Sequence, residues 1–147
     1  MADRAAEVIG IEIVDEAVKR AAENAARNGI DRASFYCGDA SDASRLLANA
    51  EEAHGALDPE HTVVVFDPPR KGSTRELIEY IAARRFPRVV YVSCNPDTLA
   101  RDCVDFRRLG YEIGEVTPVD MFPRTGHVES VVCLTRRLDN ELRERMN

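Results

Sequence analysis

Apolar residues form two kinds of pattern along this chain. Short continuous apolar runs predict β-strands, and apolar residues spaced three or four apart predict amphipathic helices. Strands are predicted at residues 8–14, 34–37, 62–66, 89–93, 111–119 and 128–135. Each of the first four is followed by a predicted helix. This alternation predicts an α/β fold with a parallel sheet covered by helices on both faces.

Polar residues indicate where the predicted helices begin. Asp15 is predicted to cap the first helix, and Ser73 and Glu76 have the spacing of a capping box. Asn95 precedes Pro96, the combination expected at the start of a helix. Ligands of such folds bind beyond the carboxyl ends of the strands, so the polar residues there are the candidate site.

Composition limits the class of protein. With 147 residues and 44% hydrophobic content, the chain is expected to form one compact domain over residues 1–135, followed by a polar tail at 136–147. The net charge of −6 argues against binding nucleic acid by bulk electrostatic attraction. No apolar run approaches the roughly 20 residues that span a bilayer, and the N-terminus has no secretory pattern, so a cytoplasmic protein without membrane contact is expected. The four cysteines form no CxxC pair and the three histidines do not cluster with them, so neither a metal nor a disulfide is predicted.

Three acidic residues lie at or just after the carboxyl ends of predicted strands. Glu12 is placed to bind the hydroxyls of a nucleoside ribose. Asp39 either meets an adenine amino group or caps the helix that follows. Asp67 begins the sequence DPPR, where each proline holds the residue before it in an extended conformation. That rigidity suits a binding site, although an ordinary proline-rich turn has the same sequence.

Cys94 and Glu129 are the candidates for covalent and acid–base chemistry. Cys94 stands just before a predicted helix N-terminus, which would stabilise a thiolate, although it could also be a small apolar residue at a strand end. Glu129 begins an apolar strand and would be a partly desolvated proton acceptor, or else a solvated strand-end residue. His127 either orients its loop or contacts phosphate.

Several segments resemble, in order, consecutive blocks of the RNA uracil-C5 methyltransferases, which make 5-methyluridine in ribosomal or transfer RNA with S-adenosylmethionine. The segments are VIGIEIV, NAARNGI, FYCGDA, VVFDPPRKG, VVYVSCNPDTLARD and DMFPRTGHVES. The resemblance implies a Rossmann-like class I S-adenosylmethionine-dependent methyltransferase sheet. It also implies that Cys94 adds to C6 of uracil and that Glu129 removes the C5 proton.

The resemblance extends to binding residues. It implies that Glu12 and Asp39 hold the ribose and adenine of the cofactor. Asp67 is expected to bind the uracil edge and to lie against the cofactor. Arg70 and His127 are expected to contact the RNA substrate. Arg70 stands where methyltransferases that act on base amino groups carry a stacking aromatic residue.

This sequence departs from the family pattern at one point, because no Gly-x-Gly occurs in it. The first strand and glycine-rich loop of the family are expected before residue 1, so the chain is interpreted as an N-terminally truncated part of the catalytic domain. Weak cofactor binding, little activity in isolation and pairing of exposed strand edges between molecules are expected. An RNA-binding barrel, and the iron–sulfur cluster of some relatives, would lie outside this chain.

The expected activity is methyl transfer from S-adenosylmethionine to C5 of a uridine in RNA. DPPRKG and DMFPRTGHVES favour 23S ribosomal RNA as the substrate, hence a role in rRNA processing. Two alternatives stay open: a methyltransferase acting on a base amino group, and a noncatalytic RNA-binding or assembly module.

Overall fold

The computed structural model describes residues 2–39 and 42–137, except for the side chains of Ala43 and His54. The chain divides into two compact units, Met1–Leu57 and Asp58–Asn147. Most of the predicted tail, 136–147, lies outside the described residues, and its separation from the rest stays a prediction.

The first unit is a parallel pair of strands with two helices. Its elements are β1 (Val8–Glu12), α1 (Asp15–Arg27), β2 (Ala33–Cys37) and α2 (Ala43–His54). Because parallel neighbours need a crossover connection, α1 lies between β1 and β2 in sequence. The predicted strand over 8–14 is too long, since Ile13 and Val14 are exposed and lie beyond the last pair, Glu12 with Cys37.

The second unit contains a four-stranded mixed sheet. Its elements are β3 (Val63–Phe66), α3 (Arg75–Ala83), β4 (Arg88–Ser93), α4 (Pro96–Arg108), β5 (Tyr111–Val119) and β6 (Glu129–Arg136). The strand order is β3-β4-β6-β5. β3 and β4 are parallel, whereas β6 is antiparallel to both β4 and β5.

The expectation of a parallel sheet is therefore wrong for β6, whereas β5, which is antiparallel to β6, runs in the same direction as β3 and β4. The loop 120–128 between β5 and β6 contains no helix and is too short for a crossover, so the chain returns antiparallel. This reversal brings the start of β6 to the carboxyl end of β4, the edge where ligands of α/β folds bind.

The core of the second unit lies between α3, α4 and the sheet. Its buried residues are Ile78, Ile81, Phe86, Val89, Tyr91, Leu99, Phe106, Tyr111, Val132 and Leu134. The rings of Phe66 and Tyr91 are 4.3 Å apart between centroids, and Tyr111 Oη donates a hydrogen bond to Phe86 O at 2.7 Å. Burial raises the pKa of Tyr111, so its phenol remains a donor.

The predicted start of α4 is confirmed. Asn95 is its N-cap, with Oδ1 accepting from Asp97 N at 3.1 Å, and Pro96 is in the first turn. This cap fixes the backbone directly after Cys94.

The other two predicted helix starts are wrong by one residue. Asp15 is already inside α1, where its carboxylate pairs with Lys19 at 2.6 Å, and the N-cap position, Val14, has no side-chain cap. The N-cap of α3 is Thr74, whose Oγ1 accepts from Leu77 N at 3.3 Å. A helix start is hard to predict to the exact residue, because neighbouring polar side chains compete for the same free N–H groups.

Candidate active site

The pairing of β4 with β6 brings Cys94 and Glu129 to the same end of neighbouring strands. Ser93 at the end of β4 pairs with Ser130 in β6. Cys94 follows Ser93 and Glu129 precedes Ser130, so the two candidates are the next positions in the same antiparallel register. Glu129 also pairs with Val119 of β5. The sheet thus holds the thiol and the carboxylate at one end of neighbouring strands.

The backbone around Cys94 is fixed by hydrogen bonds on its two neighbours. Ser93 Oγ donates to Asn95 O at 3.0 Å and accepts from Asn95 N at 3.1 Å. Cys94 itself is half-buried and precedes the first turn of α4. Such an N-terminus favours negative charge nearby.

Cys103, nine residues further along α4, is in a different environment. Burial and, to a smaller extent, the negative charge of Asp102 raise the pKa of Cys103 to about 11. At neutral pH its thiol therefore stays protonated and inert, which makes Cys103 a control for Cys94.

Glu129 has one carboxylate oxygen that is buried and unsatisfied. Its Oε2 atom has no hydrogen-bond partner among the residues that the structure describes. Leaving a buried acceptor unpaired costs about 1–3 kcal/mol, so such atoms need an explanation. A bound group that brings a proton or a donor to this oxygen would supply one.

Asp67 lies at the same edge of the sheet. It follows Phe66, which pairs with Tyr91 two residues before Ser93, so the parallel pairing of β3 with β4 directs the chain after Phe66 toward the Cys94 end. Partial burial raises the pKa of Asp67, and this carboxylate forms no hydrogen bond with the described residues.

Arg70 and His127 are in contact. Arg70 Nη2 donates to His127 Nδ1 at 3.5 Å, although they are 57 positions apart in sequence. His127 is positioned by its backbone N–H, which donates to Thr125 Oγ1 at 3.2 Å, and its ring lies edge-on to Phe122. The structure therefore joins the DPPR loop to the loop that precedes Glu129.

The DPPR loop is also fastened to α4. Arg70 O accepts from Asn95 Nδ2 at 3.0 Å and from Thr98 Oγ1 at 3.3 Å. The N-cap residue next to Cys94 thus holds the loop that contains Asp67 and Arg70. The segments that contain the candidate residues of the second unit therefore come together at this end of the sheet.

The sequence prediction missed Asp102, which is buried at 1% exposure. Its Oδ2 atom accepts from Ser73 N at 2.7 Å and from Tyr91 Oη at 2.6 Å. A signal was present in the sequence, because Asp102 lies three positions after Leu99 and four before Phe106, on the apolar stripe of α4. A carboxylate on such a stripe must find donors inside the protein.

In the first unit, Glu12 and Asp39 lie at the carboxyl ends of adjacent parallel strands. Glu12 Oε1 accepts from Val14 N at 2.9 Å, which holds the carboxylate against the start of α1. Asp39 lies two residues beyond β2, and its backbone oxygen accepts from Asp42 N at 2.9 Å. Two carboxylates in this position suit the hydroxyl and amino donors of an adenosine group, so this end of the unit fits the nucleoside part of S-adenosylmethionine.

Two further observations concern metals and membranes. Within residues 2–39 and 42–137, no three side chains of the types His, Cys, Asp or Glu are grouped so as to hold a metal ion. None of the helices in the described part of the chain combines the length and apolar character needed to cross a bilayer. The expected absence of a metal and the expected cytoplasmic location stay predictions.

Comparison with known proteins identifies the family. Residues 1–137 match the sequence profile described as tRNA (Uracil-5-)-methyltransferase. The chain belongs to this family. It is 46% identical to an RNA methyltransferase of Enterococcus faecalis over 139 residues and 43% identical to one of Clostridium acetobutylicum over 136 residues. These matches cover 95% and 92% of this chain but only 29% and 28% of the relatives, so the chain spans less than a third of their length.

Solved structures agree with the family. The tRNA (uracil-54, C5)-methyltransferase of Pyrococcus abyssi, determined with S-adenosyl-L-homocysteine, is 31% identical with a TM-score of 0.72. That match covers 91% of this chain and 30% of the archaeal protein. An rRNA methylase of Streptococcus thermophilus, 12% identical with a TM-score of 0.64, covers 93% of this chain and 77% of its own and shows the shared fold alone. The predicted Rossmann-like class I methyltransferase fold is thus confirmed.

Gly72→Ala should destabilise the fold more than Gly110→Ala. Both glycines have positive φ, +80° and +92°, so a side chain costs about 1–2 kcal/mol in backbone strain at either site. A Cβ on Gly72 would also lie 2.5 Å from Arg101 Nη2 and 2.7 Å from Asp102 Oδ2, whereas nothing lies within 4 Å at Gly110. We expect a further loss of about 1–3 kcal/mol for Gly72→Ala in urea unfolding. Equal losses in the two variants would show that the loop can move away without cost.

Asp67→Asn should raise the stability of the fold slightly at neutral pH. Because the folded carboxyl has a raised pKa, the wild type loses stability as pH rises from the ordinary carboxyl value through that raised value. The amide has no charge to desolvate, so the difference between variant and wild type should appear over that pH window and stay constant above it. Thermal unfolding from pH 3 to 7 measures it, and an asparagine variant less stable at pH 7 would contradict the assignment.

Proposed function

We propose that this chain forms part of an enzyme that transfers a methyl group from S-adenosylmethionine to C5 of a uridine in RNA, through a covalent bond between Cys94 and C6 of the base. The main support is the register that sets Cys94 beside Glu129, whose buried Oε2 lacks a hydrogen-bond partner among the described residues. A nucleophile next to an unsatisfied proton acceptor is what this reaction requires.

The chemistry follows from the weakness of C5 as a nucleophile in free uracil. The Cys94 thiolate adds to C6, forming a C–S bond and moving the electron pair of the C5–C6 double bond toward C5. C5 would then use this electron pair to bond to the methyl group of S-adenosylmethionine, whose S–CH3 bond would break to leave the neutral thioether S-adenosylhomocysteine. Glu129 removes the proton left on C5, and the electron pair of that C–H bond restores the double bond as the Cys94 sulfur leaves.

The residues around this pair suit a pyrimidine and its phosphate. Asp67, on a loop stiffened by two prolines, would accept a hydrogen bond from the uracil N3–H group. Arg70 and His127, which contact each other, would bind the RNA backbone or stack on the base. A base must leave its stack to reach a thiol held between strand ends, so the RNA target is expected in a loop or another unpaired region.

The cofactor would be held through Glu12 and Asp39, the carboxylates that fit its nucleoside part. S-adenosylmethionine supplies the methyl group as an electrophilic sulfonium substituent. The weak cofactor binding expected for the chain alone stays a prediction, as does pairing of exposed strand edges between molecules.

The proposed RNA substrate is 23S ribosomal RNA. DPPRKG and DMFPRTGHVES support this choice at the level of sequence, and both segments lie at the candidate site, in the loops that contain Arg70 and His127. The family description and the archaeal relative name transfer RNA instead, so transfer RNA is the substrate to test against it.

Cys94→Ala should abolish covalent trapping of RNA that contains 5-fluorouridine. Fluorine at C5 cannot be removed as a proton, so the Cys94 adduct should persist on denaturing gels. Cys103→Ala should leave the adduct yield unchanged, since burial keeps that thiol protonated. The assay compares 23S ribosomal and transfer RNA fragments.

Each variant is tested in the full chain and in a chimera where the chain replaces the matching 139 residues of the Enterococcus faecalis relative. An unchanged adduct yield in Cys94→Ala would defeat the mechanism. Methyl transfer that survives in that variant would favour a base-amino methyltransferase. RNA binding without methyl transfer by any form, the chimera included, would favour a noncatalytic module.

Glu129→Gln should stall the reaction after the covalent step. Glutamine keeps the shape of the side chain but cannot take the C5 proton, so adduct with ordinary uridine RNA should accumulate. Release of methylated RNA should fall by about 10²–10⁴-fold, the usual contribution of a positioned acid or base. Radiolabelled methyl on protein-bound and on free RNA separates the two steps. Release at the wild-type rate would assign proton removal to another group.

A further inference from the structure

Asp102 is a buried carboxylate that the proposed reaction does not use. Its two oxygens accept four hydrogen bonds. Oδ2 binds Ser73 N and Tyr91 Oη, and Oδ1 accepts from Arg101 Nε at 2.9 Å and from Arg101 Nη2 at 2.7 Å. Burial and the adjacent Asp102 raise the pKa of Tyr91, so the phenol remains a donor. We call Tyr91, Arg101 and Asp102 the clasp.

Arg101 extends the clasp from α4 to the loop that follows β3. Its Nη2 atom also donates to Lys71 O at 3.0 Å and to Ser73 O at 3.3 Å. The side chain of Arg101 is 54% exposed, so its contribution to the core is small. Its hydrogen bonds are made to Asp102 and to the loop backbone.

The loop is shaped to fit the clasp. Gly72 is buried with φ of +80°, and its missing side chain leaves room for Arg101 Nη2 and Asp102 Oδ2. Gly72 N donates to Pro69 O at 2.8 Å, which closes the turn after the two prolines. The loop backbone therefore lies directly on the clasp from Lys71 to Ser73.

The same loop reaches the candidate active site at its other end. Arg70 O binds Asn95 Nδ2 and Thr98 Oγ1, and Asn95 is the residue after Cys94. Arg70 Nη2 contacts His127. The clasp thus holds Lys71, the residue after Arg70, and the guanidinium of Arg70 contacts His127 in the loop before β6.

We propose that Asp102 and Arg101 are positioning residues, which hold the loop 67–74 so that Asp67 and Arg70 stand beside Cys94 for substrate binding. This inference rests on the proposed function. Net stability alone is a poor reason for the arrangement, since an ion pair gives little net gain in stability whether it is exposed or buried. The donors to Asp102 Oδ2 are Ser73 N in the loop and Tyr91 Oη in the core. Apolar residues could fill the same space, but they could not bind the loop backbone through hydrogen bonds.

Two variants separate the loop side of the clasp from its core side. Arg101→Gln removes the bonds to Lys71 O and Ser73 O together with both bonds to Asp102 Oδ1, and it leaves the bonds of Ser73 N and Tyr91 Oη to Asp102 Oδ2 in place. Tyr91→Phe removes one bond to Asp102 in the core and leaves the loop contacts in place. Arg107→Gln, an exposed change on the same helix, is the surface control.

The first readouts need no substrate. In the full chain, hydrogen exchange at the Gly72 and Ser73 amides and alkylation of Cys94 by iodoacetamide, mapped by mass spectrometry, are measured with the exposed Cys133 as internal reference. We expect both rates to rise about tenfold in Arg101→Gln, with Tyr91→Phe and Arg107→Gln within about twofold of wild type, whatever their melting temperatures. Arg101→Gln with wild-type rates would overturn the proposal.

The third readout is adduct formation with 5-fluorouridine RNA in the full chain and the chimera. For Arg101→Gln the half-saturating RNA concentration should rise about tenfold and the limiting rate should change less, because β4 and α4 still position Cys94. Arg101→Lys should recover part of the loss. An adduct in the wild type with equal half-saturation in Arg101→Gln overturns the inference alone. No adduct in the wild type overturns the proposed function, and the exchange and alkylation rates then still decide whether the clasp holds the loop beside Cys94.

Discussion

The antiparallel pairing of β4 with β6 is the constraint on which the candidate site depends. It places the first residue of β6 beside the residue that follows β4, although 35 positions separate them in sequence. A slip of one residue would turn the side chains of β6 to the opposite face of the sheet. The buried Val132 and Leu134, together with Ser130 at 4% exposure, oppose such a slip because they alternate with more exposed residues. Core packing thus fixes which residue of β6 lies beside the residue that follows β4.

The carboxylates near this sheet differ in whether hydrogen-bond donors reach their oxygens. Asp102 is buried and fully supplied with donors, so it can hold structure. Glu129 Oε2 is buried and has no donor among the described residues, and the pKa of Asp67 is raised by partial burial without a compensating bond. Groups left short of partners in this way are suited to binding and proton transfer, because a ligand can satisfy them.

Much of the fold could be predicted from local patterns. Helix spacing and the pair Asn95–Pro96 identified α4, and Cys94 was singled out by its place before that helix. What could not be predicted depends on long-range contacts. The reversal of β6, the cap at Thr74 instead of Ser73, and the donors of Asp102 all follow from which segments meet in space. Ser73 is the clearest case, since its backbone N–H binds a carboxylate 29 positions away.

The charge balance of the site explains why Arg70 stands in the DPPR turn. Asp67 and Glu129 bring two acidic side chains to one end of the sheet, and like charges near each other repel one another and would repel an RNA phosphate. Arg70 adds a permanent cation, tied through its backbone oxygen to Asn95 and through its guanidinium to His127. Under the proposed function, a chain of net charge −6 would thus present a local cationic contact to RNA, since charges more than about 8 Å away are largely screened at physiological salt.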